Sequence, residues 1–459
     1  MPKPSAVHVP SQLSSPGFIR FALVFLPAST VSITATLFSL ILIAIVGLRL
    51  VSSAPTRGPY LNYNVNANAT SQNANLAQPF RVQVGLRPYY LVDNMDEGPL
   101  KQKLQSCSEE TSKVSKFVVG HRGAPLQFPE HTRESYMAAA REGAGAIECD
   151  VTFTSDKKLV CRHDQCDLHE TTNILATDLA AKCTKGFTPY DTTTGAVATA
   201  KCCTSDITLA EFKTLCGKMD GFNPNASTIE EFMAGTAKFR TDLYSTCGTL
   251  LTHIESIQLI DSYGRDFTPE AKHTEVQMPF DGYTQEQYLQ DIIDDYRNLG
   301  IDPARVWPQS FVPDDIYWWI KNEPEFAKQV VYLDERMDTL EGYKMATDSL
   351  PGLAQAGVKI VGPALFALTK LDTDRKIVPS EYAIEARKAG LEILPWSFER
   401  SGWLNKGGDF FYQNIAPVIR KDGDMYKLLD VLVNDVKVFK MYSDSPATVV
   451  YYANCMGLP

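Results

Sequence analysis

The sequence has no surplus of positive charge. Lys and Arg number 44 against 54 Asp and Glu, a formal net charge of −10. A general nucleic-acid footprint needs clustered Lys and Arg to replace phosphate counterions, so that class is excluded. A small anionic ligand is not, since it needs only local positive charge. The ten cysteines contain no Cys-x-x-Cys pair, which removes the usual spacing of a structural zinc site. No self-similarity of solenoid length runs along the chain, so a stacked-repeat architecture is out. The run Phe21–Leu48 lacks any Asp, Glu, Lys or Arg. About 20 apolar residues cross a bilayer, so residues 21–50 read as a transmembrane or signal-anchor segment behind a short tail. Cleavage near "LVSSA" is the alternative.

What the chain does have begins with those cysteines. Cys166, Cys183, Cys202, Cys203, Cys216 and Cys247 fall close together. An even total behind an apolar amino-terminal segment points to disulfides and an oxidising compartment. The sequons at Asn68 and Asn225 agree. The expected location is therefore membrane-anchored with an extracytoplasmic domain, or secreted; buried free thiols facing the cytosol are the rival reading. Residues 51–110 read as a stalk and lead-in, rich in Asn, Ala and Pro at first.

From residue 111 to the end, short β-branched runs alternate with helical patterns. The strand candidates are "FVVG", "AIECDVTFT", "TEVQM", "RVWPQSF", "QVVYLDE", "VKIVGPA", "LEILPWSF" and "VFKMYSDSP". Helical stretches such as "RESYMAAARE" and "TQEQYLQDIIDDYRNLG" lie between them. Eight βα units predict an α/β fold, a (β/α)8 TIM barrel, with an open doubly wound sheet as the alternative. In a barrel, polar residues at the carboxyl ends of strands form the active site. Residues at about 165–250 exceed what one helix requires and read as a Cys-rich insertion over the barrel mouth, stapled because its own core is small.

In "AIECDVTFT", Glu148 and Asp150 share one face of the strand while Ile147, Cys149 and Val151 take the other. Two carboxylates side by side repel unless neutralised, and a hard divalent cation is the common remedy. Glu275 in "KHTEVQMP" is read as a third carboxylate on the next strand. His121 and His163 both end strand-like runs flanking the Glu-x-Asp strand, as a pair that divides proton transfer requires. Arg122 is a charge-assisted donor for a phosphate oxygen. The adjacent Gly123 is read as leaving room for that ligand.

The stretch "GHRGAPLQFPEHTRESYMAAAREGAGAIECDVTFTSDKKLVCRHD", residues 120–164, resembles the glycerophosphodiester phosphodiesterases. "TEVQMP", "PQSF", "PWSFERSG" and "YSDSP" agree more loosely, and the likeness spans about residues 116–447. The resemblance implies Glu148, Asp150 and Glu275 as ligands of one divalent cation, Ca2+ or Mg2+, and His121 and His163 as the acid/base pair. It implies Arg122 as the phosphate contact and places Glu130 beside it. Trp396, on a late strand, and Arg400, at that strand's end, are further candidates for substrate contact. His131 stands where many members have Asn, Gln277 where many have Lys, and "DKK" replaces an Asp-Gly turn.

The expected activity is metal-dependent hydrolysis of a small glycerophosphodiester to glycerol 3-phosphate and an alcohol. A lipid-linked phosphodiester such as a lysophospholipid is the second substrate reading. A non-catalytic surface binding protein is the reading outside enzymology.

Overall fold

The computed structural model describes residues 81–459. The anchor reading of residues 21–50, most of the stalk and the sequon at Asn68 lie outside them. Among the described residues, no helix is long and apolar enough to cross a membrane.

Eight parallel strands form the framework: β1 (Ser115–Gly120), β2 (Ala144–Phe153), β3 (Asp266–Ala271), β4 (Gln309–Ser310), β5 (Val331–Asp334), β6 (Ile360–Pro363), β7 (Glu392–Ile393) and β8 (Met441–Ser443). Each lies beside its neighbour in sequence from β1 to β7, and β8 returns to pair with β1. A doubly wound sheet reverses its strand order partway; this one does not. The two edges meet through backbone bonds: Phe439 N–H donates to the Ile393 carbonyl and Phe398 N–H to the Tyr442 carbonyl. The sheet is therefore curled, and Val119, Ala146, Val331, Leu333, Ile360, Leu394 and Tyr442 meet in one apolar cluster inside it.

The helices cover the outside by ordinary amphipathic logic. In the helix Gln285–Asn298, Tyr288, Leu289, Ile292, Ile293 and Tyr296 are buried, one face at helical spacing. Thr284 caps its first turn and Gln287 reaches back to complete the capping box.

One strand lies elsewhere than the pattern suggests. "TEVQM" forms a bend, and β3 is "DFTPEA", some residues earlier. Pro269 and the charged ends of that segment disguise a central strand, because Pro cannot donate to a ladder.

After a short strand Leu159–Cys161, antiparallel to β2, the chain enters the Cys-rich region. It contains two small antiparallel ribbons, Lys185–Thr188 with Thr199–Lys201 and Cys216–Gly217 with Gly248–Thr249. Leu168, Ile174, Phe212 and Phe232 make its own apolar cluster. Cys166–Cys203, Cys183–Cys202 and Cys216–Cys247 staple it. Cys149–Cys161 and Cys107–Cys455 complete the pairing, and no cysteine is free. The region sits against the loop after β1: a Cβ on Gly248 would come within 2.6 Å of the Thr132 methyl, so only glycine permits this approach.

Candidate active site

The chemistry collects where β1, β2, β3, β7 and β8 end. β2 is buried along its whole length, so alternation sends Glu148 and Asp150 to one face with no water to screen them. In the parallel register Asp150 stands opposite Glu270 of β3. One oxygen from each of Glu148, Asp150 and Glu270 lies within 4.8 Å of the others. Burial and the neighbouring carboxylates push Glu148 well up, and burial is the main cause that raises Glu270 to about 8. Asp150 is held far below the usual range: burial opposes this, but His131 and Lys272 outweigh it. The Asp150 Oδ1 atom is buried and makes no hydrogen bond. Three converging hard oxygen donors with an unsatisfied atom among them fit a divalent cation.

Glu275 is not one of the three. It lies in the bend beyond β3, its side chain 35% exposed, and pairs with Lys201 at 2.9 Å. The third carboxylate is Glu270. The same shift removes a supposed departure, because the positive charge expected at Gln277 is carried by Lys272. Its Nζ lies 2.8 Å from Glu270 and 3.8 Å from Asp164. Burial works against the Lys272 charge, yet Glu270 and Asp164 raise its pKa, so it stays protonated.

His121 follows β1. Its Nδ1 lies 2.5 Å from Asp444 Oδ1 and its Nε2 3.8 Å from Glu148. Burial lowers the imidazole to about 4 against the pull of Asp444, so it is neutral at ordinary pH. His163 follows the short strand Leu159–Cys161. Its Nδ1 meets Asp164 at 2.6 Å, and its side chain is 29% exposed, far more than that of His121. Burial lowers its pKa too.

Arg122 adopts a left-handed backbone, φ 56°, which turns its N–H onto Glu148 Oε2 at 2.9 Å. Its Nη1 donates to Glu130 at 3.0 Å. The buried Nε atom makes no hydrogen bond; it lies 3.8 Å from Asp150 Oδ2, so this edge of the guanidinium keeps a donor for an anion beside the carboxylates. Glu130 also accepts from Arg400 Nη2 at 2.9 Å. Burial works against its charge, but Arg122 and Arg400 hold it ionised. Glu130 is thus spent on two arginines. Gly123 serves packing rather than a ligand: its φ is +97°, and a Cβ there would lie 2.3 Å from Ser135 Oγ.

Trp396 Nε1 donates to the Gly362 carbonyl at 2.9 Å. Its ring packs edge-on against Phe311 and Phe411, and Lys272 lies 5.7 Å from the Phe311 ring. These aromatics form one wall beside the carboxylates.

Several site residues escaped the sequence reading. His131 bridges Tyr136 and Asp150, each at 2.9 Å. Gln309 donates to Glu148 at 2.8 Å and accepts from Tyr442. Asp444 was visible only as part of "YSDSP". Glu270-x-Lys272 at a strand end was a signal, hidden by Pro269.

The family model of the glycerophosphoryl diester phosphodiesterase family matches residues 121–434. A protein of Arthroderma benhamiae, named an extracellular protein, is 53% identical over 245 residues, 52% of this chain and 100% of that one. A Bacillus subtilis glycerophosphodiester phosphodiesterase is 47% identical over 57 residues, 12% of this chain and 19% of that one. A solved structure from Silicibacter pomeroyi, assigned to the glycerophosphoryl diester phosphodiesterases, superposes with a TM-score of 0.51. It has 20% identity and covers 78% of this chain and 98% of that one, a likeness of fold.

Proposed function

The chain belongs to the glycerophosphoryl diester phosphodiesterase family, and from that premise we propose that it is a (β/α)8-barrel hydrolase that cleaves glycerophosphodiesters to glycerol 3-phosphate and an alcohol. The observation that carries this reading is the convergence of three buried carboxylates, the His121–Asp444 pair and the open edge of Arg122 at the strand ends.

Glu148, Asp150 and Glu270 would hold one divalent cation, Ca2+ or Mg2+. When bound, such an ion polarises the phosphate and offsets charge developing on its oxygens. Lys272 balances the third carboxylate, while Gln309 and His131 fix the orientation of the other two. Arg122, aligned by Glu130, offers its free edge to a phosphate oxygen.

His121 takes the proton of the attacking oxygen. Burial keeps it neutral beforehand, and Asp444 stabilises the imidazolium that forms. His163, nearer solvent, enters the step as an imidazolium paired with Asp164 and gives its Nε2 proton to the departing alkoxide as the phosphorus–oxygen bond breaks. It then regains a proton from solvent while His121 returns its own. Asp164 on its Nδ1 leaves Nε2 for that transfer. Trp396 and Phe311 line the path of the alcohol, and Arg400 supports Glu130.

The disulfides and the extracellular relative favour an oxidising, extracytoplasmic location. A lipid-linked substrate is the second reading. It is favoured by Trp403 and Phe410, 48% and 41% exposed in the loop after β7, since Phe410 packs on Phe411 beside Trp396.

Release of glycerol 3-phosphate from glycerophosphocholine tests the proposal, with EDTA, with Ca2+ and with Mg2+. Metal-dependent release supports it. Choline release from lysophosphatidylcholine alone, with lysophosphatidate as the other product, would transfer support to the lipid reading, and cleavage of neither substrate would sink both.

A further inference from the structure

The Cys-rich region reaches the loop after β1. Two of its side chains enter the polar network of the active site. Arg240, only 3% exposed, pairs through Nη1 with Asp220. Its Nε and Nη2 both donate to the Pro125 carbonyl, at 3.0 and 2.6 Å. Pro125 belongs to the loop after β1, three residues beyond Arg122. The other carboxylate oxygen of Asp220 accepts from Arg400 Nη1 at 3.2 Å.

From Arg400 the chain of charges divides. Nη2 donates to Glu130, which holds Arg122 at 3.0 Å. Nε lies 3.0 Å from Asp444, which holds His121 at 2.5 Å. An unbroken run of ion pairs therefore leads from the insertion to the phosphate-facing arginine and to the proposed base. The guanidinium of Arg400 is planar, with its donors in a fixed fork. Hydrogen bonds to Asp220 and Glu130 fix its plane while Asp444 pairs with Nε without a hydrogen bond, and Asp220 is the carboxylate that the insertion supplies.

The turn carrying Asp220 is itself braced. Lys218 Nζ donates to the Met219 and Gly221 carbonyls at 2.8 Å each, on either side of Asp220. Gly221 has a φ of +111°, and a Cβ there would lie 2.9 Å from the Gly235 carbonyl oxygen. A mere staple between insertion and barrel needs only the two bonds from Arg240 to Pro125. The bond from Asp220 to Arg400 adds nothing to a staple; it adds a third fixed point to Arg400.

We propose that Asp220 and Arg240 are positioning residues of the active site, which set Arg400 and, through it, the Glu130–Arg122 and Asp444–His121 pairs. The inference rests on the phosphodiesterase reading above. Such residues act by geometry: a misplacement of about 1 Å in a catalytic constellation costs up to ~100-fold in rate.

The test is a double-mutant cycle in the full-length chain. Asp220→Ala is expected to lower kcat/KM for glycerophosphocholine about 10- to 100-fold. Arg240→Gln, which keeps most of the stem but removes the charge, is expected to act in the same direction. In an Arg400→Gln background, Asp220→Ala should cost less than about twofold more, because its effect runs through Arg400. Affinity for glycerol 3-phosphate, measured by calorimetry, should fall with Asp220→Ala and follow the same non-additive pattern. Asp191→Ala is the control, since the Asp191 side chain bonds only to Thr193 and Thr194 in an exposed turn of the same insertion. It should leave kcat/KM unchanged. Should Asp220→Ala fail to give a cooperative thermal transition, Asp220→Asn carries the same expectation at constant size.

Activity within about twofold of wild type for Asp220→Ala would overturn the inference, as would full additivity with Arg400→Gln. A wild-type chain without turnover would overturn the functional reading instead, and the glycerol 3-phosphate titration would then decide the coupling by itself. A wild-type chain that neither turns over nor binds glycerol 3-phosphate would overturn both.

Discussion

Asp150 and Glu270 stand directly opposite each other on adjacent parallel strands, both buried, with Glu148 two residues away on the same face. Carboxylates so placed cannot all ionise without cost, which is why Glu148 and Glu270 titrate high, and a cation that joins them favours the ionised set. A ligand that binds only the folded state stabilises it by about 2.7 kcal/mol at 100 times its dissociation constant. The thermal midpoint of the wild type should therefore rise on adding Ca2+ or Mg2+ to EDTA-treated protein. Glu270→Gln should abolish that response. Scanning calorimetry of the two proteins checks both, and a Glu270→Gln variant that still responds like wild type would contradict the assignment.

The contact between His121 and Asp444 carries a separate expectation. Asp444→Asn keeps size but exchanges an acceptor for an amide, which no longer stabilises an imidazolium or fixes the tautomer. By analogy with other carboxylate–histidine pairs, kcat should fall by ~10²–10⁴. Glycerol 3-phosphate release kinetics measure this, and a loss below about threefold would show that His121 is not the base.

Cys149 lies between Glu148 and Asp150, and Cys161 lies two residues before His163; their disulfide joins the two segments that carry the chemistry. Closing a loop with a sequence separation of 12 stabilises a fold by about 3 kcal/mol. Cys149→Ala/Cys161→Ala should lower the urea midpoint accordingly and reduce kcat as both segments loosen. Unchanged stability would mean that the barrel alone holds this register.

Stability should also depend on pH through Glu399. It accepts from Ser443 Oγ and from the backbone N–H groups of Asp444 and Ser445, yet burial pushes it up from 4.5 to about 7. A carboxyl raised in the folded state binds its proton more tightly there than when unfolded. Its contribution is complete below about pH 4.5 and is lost as pH rises to about 7. The loss is about 3.5 kcal/mol at most, since one unit is worth ~1.4. Glu399→Gln should flatten this part of the stability profile. Urea unfolding at pH 4.5 and 7.5 reads it directly, and an equal slope in the variant would assign the dependence to other groups.

Where periodicity reports burial, the sequence was legible. β2 alternates two carboxylates with apolar residues, and Glu148 and Asp150 share a face for that reason. Arg122, His121 and His163 stand at strand ends, where βα units make their sites. β3 was not legible, because Pro269 and two acidic residues conceal a strand buried in a parallel sheet. That error moved the third carboxylate from Glu270 to Glu275 and the compensating charge from Lys272 to Gln277. Contacts that join distant segments left no local signal: Asp444 is far from His121 in sequence, and Gln309 far from Glu148. The disulfide partners were open for the same reason, since spacing does not state which loops meet.

The most direct test of the account compares Glu270→Ala with Glu275→Ala. Glycerol 3-phosphate release from glycerophosphocholine would be measured after EDTA treatment and again after adding Ca2+ or Mg2+. The account predicts metal-restored release by the wild type and by Glu275→Ala, and a loss of at least ~100-fold for Glu270→Ala. Restored release by Glu270→Ala, or its loss in Glu275→Ala, would contradict the carboxylate triad on which the proposed chemistry stands.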